Sequence, residues 1–184
     1  MSDDDRPIPL LVLGLGNVLC GDDGLGAVAV HLLQRRYQAP DGVLVLDGGT
    51  LGLSLLPTLE EAREAILVDA IRADGPPGSF VRLEGDDVAP AVAARLSVHQ
   101  VGVLDLLEAA RWRERYPRHL ILLGLVPQSL ELGVVRTQAV EAALPGLVER
   151  IVVEAAGLGH VFVPRTADET AAVSPDDLAH VFGL

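Results

Sequence analysis

The sequence predicts an α/β protein with a mostly parallel sheet of about five strands, covered by helices on both faces. Three observations carry that expectation. Runs such as "PLLVLGL" (9–15), "AILVDAI" (65–71) and "HLILLGLVP" (119–127) are almost continuously apolar, the pattern of strands buried on both faces rather than one. Segments of helical period stand between them. The chain has 184 residues, 49% of them hydrophobic, enough to fill one sizeable core.

Taken in order, residues 9–15 form a buried strand that runs into glycines. Gly24 to Arg36 is a helix with Ala27, Val30, Leu32 and Leu33 largely on one side. "VLVLDGG" (43–49) is a second strand, followed by a turn and a short helix through "LGLSLLPTL". The third strand is 65–71. "SFVRLE" (79–84) follows "DGPPG" and reads as an edge strand or half of a hairpin. A helix near Val88 to Arg95 leads to "SVHQ", and another spans about Gly102 to Glu114. The last strand is 119–127, and Thr137 to Ala156 is a long closing helix with a possible bend at Pro145. One domain is expected over 9–160, between an acidic lead (1–8) and a tail (161–184) that carries four acids after Arg165.

Composition narrows the function. The net charge is −12 and all 14 basic residues are arginine. Such a surface repels nucleic acid and anionic lipid, so neither is expected as a partner. The absence of lysine removes Schiff-base chemistry and P-loop phosphate binding. No apolar run reaches a membrane span and the N-terminal residues are acidic, so a soluble, cytoplasmic protein is expected. The single Cys20 forbids an intrachain disulfide or a Cys-rich zinc module; without a local signature it reads first as a small buried hydrophobe.

The glycine turn "LGLGNVLCGDDGLG" (13–26) is not a dinucleotide site. A G-x-G-x-x-G fingerprint would need glycine where Leu19 stands, and Asp22 and Asp23 precede the helix where a pyrophosphate would lie. Carboxylates at strand ends suit a cation. Asp22 and Asp23 follow strand one, Asp47 ends strand two, Asp69 ends strand three, and His99 precedes a helix. In open α/β sheets the carboxyl ends of the strands are where ligands gather. Two carboxylates, an imidazole and open water positions would suit nickel, zinc or iron. Each residue has a plainer reading beside this one: an Asp before a helix is most often an N-cap, an Asp at a strand end a turn former, and a lone His a structural residue.

Four segments in order resemble the hydrogenase maturation proteases: "LGLGNVLCGDDGLG", "LDGGTLGLSLL" (46–56), "AILVDAI" and "LSVHQVGVLDLL" (96–107), with "LLGLVP" (122–127) similar to the family's last strand. The resemblance spans about residues 10–157. It implies a three-layer α/β/α sandwich around a twisted sheet. It also implies an endopeptidase that removes a short C-terminal extension from the large-subunit precursor of [NiFe]-hydrogenase after nickel insertion. The family's metal-contacting positions fall on Asp23, Asp69 and His99, and the segment Asp47, Gly48, Gly49 and Thr50 corresponds to one implicated in substrate recognition and cleavage. Many members carry Glu where this chain has Asp23, and Gln where it has Val126 before Pro127.

Two mechanisms are open from sequence. A metal polarises the scissile carbonyl and activates water, with Asp47 or Asp22 as base. Alternatively nickel, supplied by the substrate, is sensed by Asp23, Asp69 and His99, and the same acidic cluster, Asp23 with Asp47, carries cleavage; other divalent metals would fit the same ligands. The alternative function is a non-catalytic nickel carrier or assembly chaperone for the same client. A phosphoryl-accepting receiver shares the acidic layout but needs a lysine this chain lacks. Arg111, Trp112, Arg113 and Arg115 are either a client-docking cluster or a solvated helix end with one packed Trp. A monomer is expected.

Overall fold

The computed structural model describes residues 6–93 and 98–166, with the side chains of 98–101 outside that description. β1 (Ile8–Leu15) is followed by a 3-10 turn (Gly21–Gly24), α1 (Leu25–Arg36), β2 (Tyr37–Gln38) and β3 (Val43–Gly49). A second 3-10 turn (Gly52–Leu55) runs into α2 (Leu56–Glu61), then β4 (Ala62–Ala70) and β5 (Phe80–Glu84). The remainder is α3 (Val88–Ala93), α4 (Val98–Trp112), β6 (His119–Leu125), α5 (Gln138–Gly157) and β7 (Val163–Pro164).

The central sheet has the order β3-β1-β4-β6-β5, with β5 antiparallel to β6 and the other pairs parallel. The segment 79–84 is therefore an edge strand, not half of a sequential hairpin. β1 lies centrally because its side chains are apolar on both faces. Leu10 and Val12 pack with α1 and α5, while Leu11, Leu13 and Leu15 pack against α2, α3 and α4. Burying each such leucine stabilises the fold by about 1.5–3 kcal/mol, which outweighs the cost of ordering its side chain. The expected α/β/α layering follows from these two separate apolar clusters.

Local chemistry explains the element bounds. α1 buries Leu25, Ala29, Val30 and Leu33 along one stripe and ends with Arg35 and Arg36 in its last turn, where cations suit the helix dipole. β4 starts at Ala62, three residues before the apolar run, because Glu64 is held by Arg118 (2.8 Å) and His160 (3.2 Å). α5 continues through Pro145 as one helix, burying Val140, Leu144, Leu147, Val148 and Ile151. Outside 9–160, Arg6 is buried and donates to the Ala62 and Tyr116 carbonyls, and β7 pairs antiparallel with β2. No helix among the described residues is long and apolar enough to cross a membrane.

Candidate active site at the carboxyl edge of the sheet

β1 is flanked by β3, which follows it, and by β4, which comes later, so the connection reverses direction at β1/β4. That reversal opens a crevice beyond the carboxyl ends of these strands. Gly16 leaves β1 with a φ of +113° and donates to the Gly49 carbonyl at 3.0 Å. A Cβ at Gly16 would fall inside contact distance of the Asp23 carbonyl and 3.6 Å from Asp69 Oδ1. Only glycine fits, because two acidic residues close around it.

Asp23 is 1% exposed and its Oδ2 accepts the Asn17 amide at 2.7 Å. Asp69 is equally buried, with Oδ1 accepting the Ala70 amide at 2.7 Å. It continues the alternation of Ala65 and Leu67 and so faces the α2–α4 layer. Asp23 borders Gly16 through its backbone carbonyl and Asp69 through its carboxylate oxygen, so the Asp69 carboxylate sits at the crevice while that of Asp23 turns back to the Asn17 amide. Asp23 and Asp69 thus meet at one glycine, Asp23 by its main chain and Asp69 by its side chain. His99 lies in the first turn of α4, and its side chain is outside the described residues. Three residues on, Gly102 rests against Gly52, just past the end of β3, which places the start of α4 at this edge of the sheet. Among the described residues no three His, Cys, Asp or Glu side chains form a metal-holding group.

Asp22 has a different task from Asp23. Its Oδ2 accepts the Gln128 and Ser129 amides (2.8 and 3.1 Å) and the Thr137 hydroxyl (2.9 Å), while Oδ1 accepts the Thr137 amide at 2.7 Å. Burial pushes its pKa up, but the hydrogen bonds from Thr137, Gln128 and Ser129 outweigh it and hold the pKa below the usual aspartate value. A carboxylate so engaged is a poor proton acceptor, and the expectation that Asp22 serves as base is corrected. Neither aspartate caps α1, whose N-cap is Gly24 without a side-chain bond. Asp22 instead ties the glycine turn to the loop before α5. Gly21 donating to Gly133, and Gly133 to Leu19, zip the same two segments together.

Asp47 takes the other face of the sheet. It follows Val43 and Val45, which pack on the α1 side, and its Oδ2 meets His31 Nε2 of α1 at 3.1 Å. Oδ1 accepts the Gly49 amide at 2.9 Å, so Asp47 shapes the Gly48–Gly49–Thr50 turn whose Gly49 carbonyl holds Gly16. The structure does not gather Asp47 with Asp69; it links Asp47 to the crevice through the turn. His31 carries no sequence signal of this role, since its partner lies on a strand whose register against α1 no local pattern reveals. Cys20 is a free, partly exposed thiol whose backbone bridges to Gly133, rather than a buried hydrophobe.

Apolar side chains stand exposed around this edge: Leu19, Leu51, Leu53, Leu132, Val134 and Val135. At the opposite end of α4, the expected packed Trp is not packed, because Trp112 is 91% exposed. Arg111 meets Asp86 (3.1 Å) and lies over the Tyr116 ring, and Arg113 pairs with Glu60.

An open, mostly parallel sheet with two buried aspartates bordering one glycine at its reversal point defines an α/β protein of the kind that takes ligands at the carboxyl edge. Comparison with known proteins makes this specific. The family described as hydrogenase maturation protease matches residues 28–154, a span that holds Asp47, Asp69 and His99 and begins after Asp23. The chain is 36% identical over 159 residues to the hydrogenase 2 maturation protease of Escherichia coli (strain K12), covering 86% of this chain and 97% of that protein. It is 45% identical over 131 residues to the hydrogenase expression/formation protein HupD of Bradyrhizobium diazoefficiens, covering 71% of this chain and 67% of that one. Among solved structures, the hydrogenase maturating endopeptidase HybD from E. coli has a TM-score of 0.82 at 34% identity, covering 86% of this chain and 98% of that one. The chain belongs to the hydrogenase maturation protease family.

Proposed function

We propose that this protein is the endopeptidase that trims a short C-terminal extension from a [NiFe]-hydrogenase large-subunit precursor once nickel is in place. The observation that carries the reading is that two buried aspartates, Asp23 and Asp69, both border Gly16, Asp23 by its backbone and Asp69 by its carboxylate, at the carboxyl edge of a fold shared with named maturation endopeptidases. Nickel arrives as part of the substrate. Asp23 and Asp69 offer it oxygen ligands, and His99 a nitrogen, a donor set that accepts nickel and other divalent ions. Three such ligands leave coordination positions open; ligands from the client fill them, and that requirement couples cleavage to nickel loading.

In this reading Asp23 also acts in cleavage. Asp47, held by His31 and Gly49, fixes the turn that receives the client chain, with Gly48, Gly49 and Thr50 leaving room for its backbone. The exposed leucines and valines around the edge favour an apolar client surface.

The test is intact mass spectrometry of a nickel-loaded precursor incubated with the protein, beside metal-free precursor and the Asp69→Asn variant. The expected result is nickel-dependent loss of a C-terminal peptide that Asp69→Asn abolishes. Transfer of nickel with the client's C-terminus intact would replace the protease reading with that of a carrier.

A further inference from the structure

Beyond the ends of β4 and β6 lies a cleft of about 340 Å³ lined by Arg72, Ala73, Val126, Pro127, Gln128 and Leu130. Its frame is fixed by backbone bonds. Ile71 donates to Leu125, Val126 to Ser79, and Gly78 to the Val126 carbonyl. The Gln128 amide is held by Asp22, so one wall of the cleft is tied to the glycine turn itself.

Arg72 is exposed within this frame and, among the described residues, has no hydrogen-bond or ion-pair partner. Arg82, Arg111, Arg113, Arg118 and Arg136 each meet a carboxylate; the side chains of Arg35, Arg36 and Arg115 share the state of Arg72 but do not line this cleft. What sets Arg72 apart is its place, since its guanidinium is a positive charge on the wall of a cleft in a chain of net charge −12. Arg72 follows Asp69 by three residues, so their Cα atoms are at most about 11 Å apart. An extended chain crossing the Asp23–Asp69 crevice reaches the cleft within about three residues.

We propose that this cleft is a carboxylate-binding subsite, where Arg72 holds an acidic group of the client chain next to the processing crevice. The guanidinium fork matches a carboxylate in two parallel hydrogen bonds. Gln128 contributes a neutral polar wall, and Val126, Pro127 and Leu130 pack the adjoining apolar atoms. The carboxylate is either an acidic side chain or the client's own C-terminus. The inference rests on the processing reading for the identity of the client.

The experiment uses the full-length protein, its Arg72→Gln variant, and a synthetic peptide spanning the C-terminal extension of the precursor from the same genome. Three peptide forms are titrated: free acid, C-terminal amide, and a form with acidic side chains replaced by amides. The parent protein is expected to bind the free-acid peptide about tenfold more tightly than Arg72→Gln, and the advantage shrinks as ionic strength rises. Loss of that advantage with the amidated peptide identifies the terminal carboxylate; loss with neutralised side chains identifies an acidic residue. On nickel-loaded precursor, Arg72→Gln raises KM about tenfold with kcat and the unfolding midpoint unchanged. Equal affinities for both proteins, no binding, or indifference to both neutralisations overturns the subsite. If the parent leaves the precursor intact but still loses peptide affinity on Arg72→Gln, the processing reading falls and the subsite stands. Cleavage by the parent with an unaltered KM in the variant overturns the subsite and leaves the processing reading in place.

Discussion

Replacing Asp22 with alanine tests whether the glycine turn is held from a distance. The carboxylate is fully buried and accepts four hydrogen bonds, three from backbone amides and one from a hydroxyl. A buried donor left without a partner costs about 1–3 kcal/mol. The donors sit in a loop that water reaches in part, so roughly half of the summed cost is recovered, leaving a loss of about 2–6 kcal/mol. Urea unfolding at neutral pH reads this as a drop in midpoint of about 1–3 M for a slope of about 2 kcal/mol per molar. The pH dependence has a definite sign. A carboxyl whose native pKa is depressed contributes stability that is fully present above the unfolded value of about 3.9, and loses it as pH falls through the lower native value. The gap between the parent and Asp22→Ala is therefore constant above about pH 4 and narrows in stronger acid. A neutral-pH loss under about 1 kcal/mol, or a gap that widens in acid, would show that these bonds do not carry the turn.

Gly16→Ala is expected to abolish precursor processing and lower stability by about 2–3 kcal/mol, because the methyl group would displace the Asp23 carbonyl and the φ is strained for alanine; mass spectrometry and urea titration report the two effects. Trp112→Ala should change the unfolding free energy by less than about 0.5 kcal/mol, since the side chain is almost wholly exposed. A larger loss in the same titration would mean the indole is packed.

The four parallel strands are legible in the sequence because both faces of each are apolar, which leaves a continuous run that no surface strand shows. β5 is legible as an edge through its Pro-Gly flank and its charged residues. The β2–β7 pair is not, because two residues carry no period. At the site, the strand-end rule places Asp23 and Asp69 at one sheet edge, but does not show that Asp23 meets Gly16 through its backbone carbonyl, which the tight turn after β1 sets. Asp22 is not legible as a tether, because its partners lie 106 to 115 residues away and leave no local mark. Asp47 and Asp69 both end strands, yet they project to opposite faces, a distinction set by register against the helices rather than by composition. Trp112 is opaque for another reason: a lone aromatic in a charged stretch gives no sign of whether a neighbour covers it.

The long reach between Asp22 and Thr137 also bears on when the protein becomes competent. During synthesis at about 5–20 residues per second, the glycine turn leaves the ribosome roughly 6–23 seconds before the residue 115 positions later that fastens it. Until then the nascent chain carries both aspartates of the crevice with no fixed wall around them. The glycine turn is completed only once the chain has passed β6 and the loop before α5 has closed on it.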